Sequence, residues 1–295
     1  MIDKVLQDNN NVAWMVSDYL SMSPRAVTRK LLEEVDPGRI LTQEQAYGAL
    51  LAGFCGAQTD DEMWYFTEMV HKRYVADYIS NPYFREVCFP DIKVGQWEIT
   101  RETYAPYEAF PCGDIAIFEG GREVPQLGYF EDTFSFPVIK QDGREWMALK
   151  PNEIETMKEA IEAVSGDVAV FGLGLGYFTF MAARKDNVRS VTVIERDESA
   201  IQIFEEMLLP QFRTADKIRI VKADAFEYLE SGQMSADSAF VDLWHDSGDG
   251  PALYVRSKQY EARYPSTRFH YWIEESLRSA LRWMIAQHKE SQKQA

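Results

Sequence analysis

The chain has 295 residues, 46% of them hydrophobic, and a formal net charge of -16, enough length for about two domains with a substantial core. That charge disfavours nucleic acid as a partner, since it repels the phosphate backbone that supplies most non-specific affinity, and no apolar run approaches the ~20 residues of a membrane span. The opening MIDKVLQDNN lacks the basic-then-apolar order of a signal peptide, and Cys55, Cys88 and Cys112 lie far apart and outside any CxxC, so the expectation is a cytoplasmic protein with reduced thiols and neither a disulfide framework nor a thiolate zinc site.

Residues 1–92 read as a helical region. Ser23 and Pro24 suit an N-cap and first-turn pair ahead of a helix that Pro37-Gly38 breaks, and Thr42 starts the next. Residues 59–79 are amphipathic, with Trp64, Phe66, Met69, Val70, Tyr74 and Tyr78 near helical spacing; such a stripe fits core packing or the lining of a substrate pocket. Residues 93–150 form a small β-rich region, its texture changing from Gly95 onward to short strands and turns, with EGGRE at 119–123 and QDGRE at 141–145 as hairpin signals. The segment 147–157 leads into a further helix, where Asn152 and Glu153 suit a cap and a first turn favoured by the helix dipole.

Residues 151–295 carry the motifs. VAVFGLGLGYFTF, 168–180, joins a strand pattern buried on both faces to alternate glycines, Gly172, Gly174 and Gly176, and then to an apolar helix start near Tyr177. Glycine at such a turn permits positive φ and lets a ligand reach the backbone, and the helix start offers unpaired N–H groups. A dinucleotide fingerprint needs GxGxxG. The third position here is Tyr177 counted from Gly172 and Thr179 counted from Gly174, so a dinucleotide is not indicated. Further strands follow in order. SVTVIERD, 190–197, ends in Glu195 and Asp197; KIRIVKADAFEYL, 217–229, contains a strand followed by Asp224, Ala225 and Phe226; DSAFVDLWHD, 237–246, places Asp242 at a strand's carboxyl end, where open α/β sheets bind ligands.

The GxGxG spacing and the acidic strand ends after it resemble the class I S-adenosylmethionine (SAM) dependent methyltransferases and the spermidine synthases that share their fold. The resemblance covers residues 151–295 and implies an α/β fold, a C-terminal Rossmann-like SAM-binding domain with a parallel sheet preceded by the helical and β-rich regions. It implies SAM as cofactor, bound by Gly172, Gly174 and Gly176, with Glu195 taking the ribose hydroxyls, Asp224 the adenine amino group, Ala225 and Phe226 the adenine turn, and Asp242 the reacting end. Taken as residues alone, Asp197 suits a helix N-cap better than Glu195 does, and Asp224 is also placed to cap the helix it precedes. Glu153, Glu155 and Met157 are partly similar to an acidic residue and a glutamate-methionine pair that spermidine synthases carry on the helix before the first Rossmann strand.

Two chemistries fit this scaffold. Methyl transfer holds the sulfonium methyl in line with a nucleophile and gains rate from positioning and desolvation, a general base being optional. Aminopropyl transfer uses decarboxylated SAM and an acidic polyamine pocket, for which Asp242, Asp246 and Asp249 are available. Spermidine synthases resemble GGGDGG in the first loop and DSTDP at the fourth strand; this chain has Leu173, Leu175 and Tyr177 in the loop and DLWHD at the strand. The expectation is therefore a SAM-dependent methyltransferase acting on a small molecule or protein, with a spermidine synthase-like aminopropyltransferase and a non-catalytic SAM-binding module as alternatives. Asp242, His245 and Asp246 are the catalytic candidates, His245 as a general base oriented by Asp246 or Asp242. A histidine beside aspartates also suits a loop cap, and no metal site is expected. Val170 stands where many methyltransferases carry an acidic residue, which leaves the methionine amino group without an assigned carrier. Residues 251–264, 267–273 and 274–290 read as helix, strand and helix, without the antiparallel hairpin of full-size methyltransferases. The substrate wall is then expected from residues 1–150 or from a second subunit of a homo-oligomer.

Overall fold

The computed structural model describes residues 3–94 and 97–294; Gly95, where the strand-rich texture begins in the sequence, lies outside them. The chain forms two compact units, each made of separate segments: Met1–Tyr78 with Glu102–Ser135 and Glu275–Ala295, and Ile79–Arg101 with Phe136–Glu274. This division differs from the consecutive regions 1–92, 93–150 and 151–295, because the strands of 93–150 are shared between the units and the last helix falls with the first one.

The first unit packs the helices Lys4–Met22, Arg29–Val35, Gln43–Cys55 and Asp60–Met69 with a small sheet in which Val70–Arg73 runs parallel to Glu123–Phe130, itself antiparallel to Phe110–Ile117. Its core gathers Val12, Leu51, Phe66, Met69, Val124 and Leu127, all buried. Thr42 and Thr59 start their helices through reciprocal capping boxes with Gln45 and Glu62. Ser23 does not start a helix. Its amide donates to the Tyr19 carbonyl at the end of the first helix (2.8 Å), and the next N-cap is Thr28, whose hydroxyl accepts from the Leu31 amide (3.3 Å). The amphipathic stretch 59–79 is not one helix either: it stops at Met69, because pairing with Glu123–Phe130 draws Val70–Arg73 into a strand, a tertiary ladder overriding local spacing. Of its stripe, Phe66, Met69, Val70 and Tyr78 are core, while Tyr74 is exposed. EGGRE joins the two antiparallel strands as the hairpin signal implies.

The helix Glu274–Gln294 has its start capped from a distant strand, the Asp114 carboxylate accepting from the amides of Glu275 and Ser276 (2.9 Å each). One and two turns on, buried Glu123 accepts from the Ser279 hydroxyl and from Arg282 Nε (2.6 Å).

The second unit is built on five parallel strands in the spatial order Ile218–Lys222, Val188–Glu195, Gly166–Phe171, Ser238–Val241, Arg268–Tyr271. In chain order this is third, second, first, fourth, fifth, so the direction of winding reverses between the first strand and the fourth. A four-stranded sheet takes Ile92–Val94, Trp97–Tyr104, Phe134–Gln141 and Arg144–Ala148. QDGRE turns its last hairpin, with Asp142 (φ 51°) and Gly143 (φ 77°) both left-handed, as a tight two-residue turn requires. Among the described residues no helix is long and apolar enough to cross a membrane. Cys55, Cys88 and Cys112 are half-buried, exposed and buried, and none of the three is joined in a disulfide. Asp114→Ala is expected to lower stability by about 1–2 kcal/mol through loss of the helix cap; thermal unfolding indistinguishable from the wild type would contradict that role.

Candidate functional site

The strand ends at the winding reversal fix the glycine turn. The Gly172 amide donates to the Ile194 carbonyl (3.0 Å) and the Asp242 amide to the Phe171 carbonyl (2.9 Å), so the turn leaves the first strand with a neighbour tied on each side. Gly172, Gly174 and Gly176 are all left-handed, with φ of 97°, 51° and 73°. Packing alone demands two of them: a Cβ on Gly172 would lie 2.0 Å from the Asp242 carbonyl oxygen, and one on Gly176 would lie 2.3 Å from the Phe204 ring. Gly174 differs, since nothing lies within 4 Å of where its Cβ would be. Its missing side chain leaves open space beside the backbone, and the helix Tyr177–Ala183 follows directly.

Glu195 ends the second strand and reaches back to this turn. Its Oε2 accepts from the Leu173 amide (3.1 Å) and its Oε1 from the amides of Arg196 and Asp197 (2.8 Å each). A carboxylate offers about four lone-pair sites, so about one stays available to an outside donor. Asp197 caps the following helix through the amides of Ser199 and Ala200. The third strand joins the cluster through the Ala223 amide, which donates to the Glu195 carbonyl (3.0 Å). Asp224 caps the helix Ala225–Glu230, its Oδ1 accepting from Phe226 (2.9 Å) and Glu227 (3.2 Å), while Oδ2 lies 3.9 Å from Arg196. Ala225 is buried at the start of that helix, and the Arg256 guanidinium covers one face of Phe226 at 3.8 Å.

Two carboxyls here are held away from their ordinary ionisation. Burial pushes Asp242 up to about 7, His245 opposing and the charge of Glu195 adding to the shift. Burial likewise pushes Glu153 up to about 8, with the negative charge of Asp242 adding to it, Lys150 opposing and Glu145 contributing a little. The charge of Asp242 thus adds to burial in holding back the ionisation of Glu153. Glu153 sits in the first turn of the helix Pro151–Ala163, whose N-cap is Lys150 and not Asn152; the Asn152 Oδ1 is buried with no partner among the described residues. The sequence marks Glu153 as a first-turn residue that is partly similar to an acidic residue of spermidine synthases, without showing its raised value. The signal for more was its place on the helix leading into the very strand that carries the glycine turn.

The DLWHD loop is arranged differently from expectation. The His245 side chain is 80% exposed, and its Nδ1 lies 2.9 Å from Asp249 Oδ2. Asp249 Oδ1 also accepts from the amides of His245 (3.0 Å) and Asp246 (3.2 Å), while the exposed Asp246 accepts from the Gly248 amide (2.6 Å). The carboxylate that orients His245 is therefore Asp249, rather than Asp246 or Asp242, because the loop curls so that one aspartate reaches both ring and backbone. Among the described residues no group of three His, Cys, Asp or Glu side chains is arranged to hold a metal ion. A depression of about 530 Å³ lined by Arg29, Tyr107 and Glu131 belongs to the first unit and includes none of these residues.

No family model and no curated protein matches the chain. Among solved structures it is similar to spermidine synthase from Thermotoga maritima (20% identity, TM-score 0.30, covering 40% of this chain and 44% of that one). It is similar also to a Klebsiella pneumoniae protein provisionally described as an O-methyltransferase (20%, 0.28, 37% and 46%). A third is precorrin 8W decarboxylase from Methanobacterium thermoautotrophicum (24%, 0.32, 42% and 63%). The chain thus spans about half the length of the structures it matches.

Folding raises both carboxyl values, from 3.8 to about 7 for Asp242 and from 4.5 to about 8 for Glu153. The native state therefore binds more protons than the unfolded one across that interval, and the stabilising contribution present at acidic pH is lost as pH rises from about 4 to about 8. Asp242→Asn should flatten the decline of Tm with pH over that window; a profile parallel to the wild type would contradict a raised Asp242. The strand order and the glycine turn make the second unit an open α/β fold on a five-stranded parallel sheet, its winding reversing beside the turn.

Proposed function

We propose that the second unit binds SAM along the glycine turn and that the protein transfers its methyl group to a small molecule or a protein. The observation that carries this reading is the open space at Gly174, at the point of winding reversal and at the carboxyl edge of the sheet, where open α/β folds bind their ligands. The residues present fit such a group. Gly174 lets it approach the backbone, and Glu195 keeps a lone pair for a ribose hydroxyl while anchoring Leu173. The Asp224 Oδ2 and Ala225 stand at the adenine end. SAM supplies an activated methyl on a sulfonium. The Asp242–Glu153 pair accepts the proton that the nucleophile gives up, and its raised values suit a base working near neutral pH. His245 and Asp246 lie in the exposed loop after Asp242, where His245, oriented by Asp249, meets the acceptor rather than SAM.

The same carboxyl pair favours a second reading, aminopropyl transfer to a polyamine, since two acidic groups suit a cationic acceptor. Against it, Leu173 and Leu175, both buried, leave no aspartate in the turn to repel the carboxylate of intact SAM.

Titration calorimetry decides among these. SAM or S-adenosylhomocysteine should bind and NAD should not, intact SAM should bind at least as tightly as its decarboxylated form, and Gly174→Val should abolish binding without unfolding the protein. Binding of NAD alone would overturn the cofactor, and preference for decarboxylated SAM with spermidine formed from putrescine would replace methyl by aminopropyl transfer. Catalysis and binding separate by mutation. Asp242→Asn should leave SAM affinity nearly unchanged and lower single-turnover rates ~100-fold or more, whereas Glu195→Ala should cost about 1–3 kcal/mol of SAM affinity. An Asp242→Asn enzyme with the wild-type rate would remove the carboxyl from the chemistry.

A further inference from the structure

The glycine turn is held by more than its strand ends. Tyr83 is fully buried in the short helix Pro82–Glu86, and its hydroxyl donates to the Leu175 carbonyl. Asn81 caps that helix, its Oδ1 accepting from the Tyr83 amide (2.9 Å), and its Nδ2 donates to the Tyr177 hydroxyl (2.9 Å). Leu175 and Tyr177 flank Gly176, so two side chains of one remote segment tie the turn on both sides of that glycine. Aromatic packing fixes the donors: the Tyr83 ring meets Tyr177 at 5.5 Å and Phe180 at 5.1 Å, both edge-on.

Glycine has more backbone freedom to lose on ordering than any other residue, so a turn with three alternate glycines is costly to order. If that freedom is lost during folding, a ligand does not have to supply it on binding. Glu195 ties Leu173, Tyr83 ties Leu175 and Asn81 ties Tyr177, while the side-chain direction of Gly174 is left open. We infer that Asn81 and Tyr83 are positioning residues that pre-form the cofactor turn and so set nucleoside-cofactor affinity without touching the cofactor. The affinity part of this inference rests on the proposed SAM site; the ordering of the turn does not.

The test uses the full chain carrying Tyr83→Phe, which keeps the ring and removes the hydroxyl, or Asn81→Ser, which keeps a capping oxygen and withdraws the amide. The readouts are hydrogen exchange of the turn amides and SAM affinity by calorimetry. Glu86→Gln is the control, because it weakens that segment's ion pairs to Arg184 (2.9 Å) and Arg213 (3.6 Å) without reaching the turn. Each of the first two variants should speed exchange at residues 173–177 and weaken SAM about 5- to 20-fold, the size of one lost buried hydrogen bond, with exchange in the strand Gly166–Phe171 unchanged. Glu86→Gln should match the wild type in both. Wild-type exchange and affinity in Tyr83→Phe and Asn81→Ser, or equal loosening in Glu86→Gln, would overturn the positioning role. If the wild type bound no SAM, the proposed function would fall, and the exchange data would still decide whether these residues order the turn.

Discussion

The contact between the Gly172 backbone and the Asp242 carbonyl is the constraint from which the site follows. With no Cβ at Gly172, the fourth strand ends directly beside the first, 2.0 Å from where that carbon would stand. The reversal of winding falls at this same pair of strands, so the glycine turn and Asp242 stand side by side at the carboxyl edge of the sheet. Glu195 then closes the other side by accepting from Leu173. One steric absence therefore brings together a backbone that a ligand can approach and carboxyls from two strand ends.

Electrostatics gives that sheet edge its chemical character. Burial raises Glu153 and Asp242 above their ordinary values, and the negative charges of Asp242 on Glu153 and of Glu195 on Asp242 add to it. Lys150 and His245 oppose the shifts without cancelling them. A carboxyl kept near half-ionised at neutral pH is matched to taking up a proton as a nucleophile forms a bond. At Asp249 burial is outweighed by the hydrogen bonds from His245 and Asp246, which hold that carboxyl below its ordinary value.

Much of this was legible in the sequence where the signal is local. The buried-strand run before the turn, the alternate glycines, the capping threonines Thr42 and Thr59, and the Asp142-Gly143 hairpin each depend on residues close in the chain. What escaped depends on distant partners. Val70–Arg73 is a strand because Glu123–Phe130 pairs with it, and Ser23 ends a helix because Tyr19 lies one turn back and Thr28 is the better-placed cap. Asp249 displaces Asp246 and Asp242 as the partner of His245 through a loop curl that no spacing rule foretells. Tyr83 reaches Leu175 across 92 residues of sequence, and Glu153 acquires its raised value through burial, with the charge of Asp242 adding to it.

A crystal structure of the protein with S-adenosylhomocysteine tests the central claim most directly. The account predicts the ligand backbone against Gly174, a ribose hydroxyl on Glu195, and the sulfur end facing Asp242, with the Leu173, Leu175 and Tyr177 ties unchanged. Ligand bound elsewhere, or at the turn with Glu195 and Asp242 both out of reach, would contradict it.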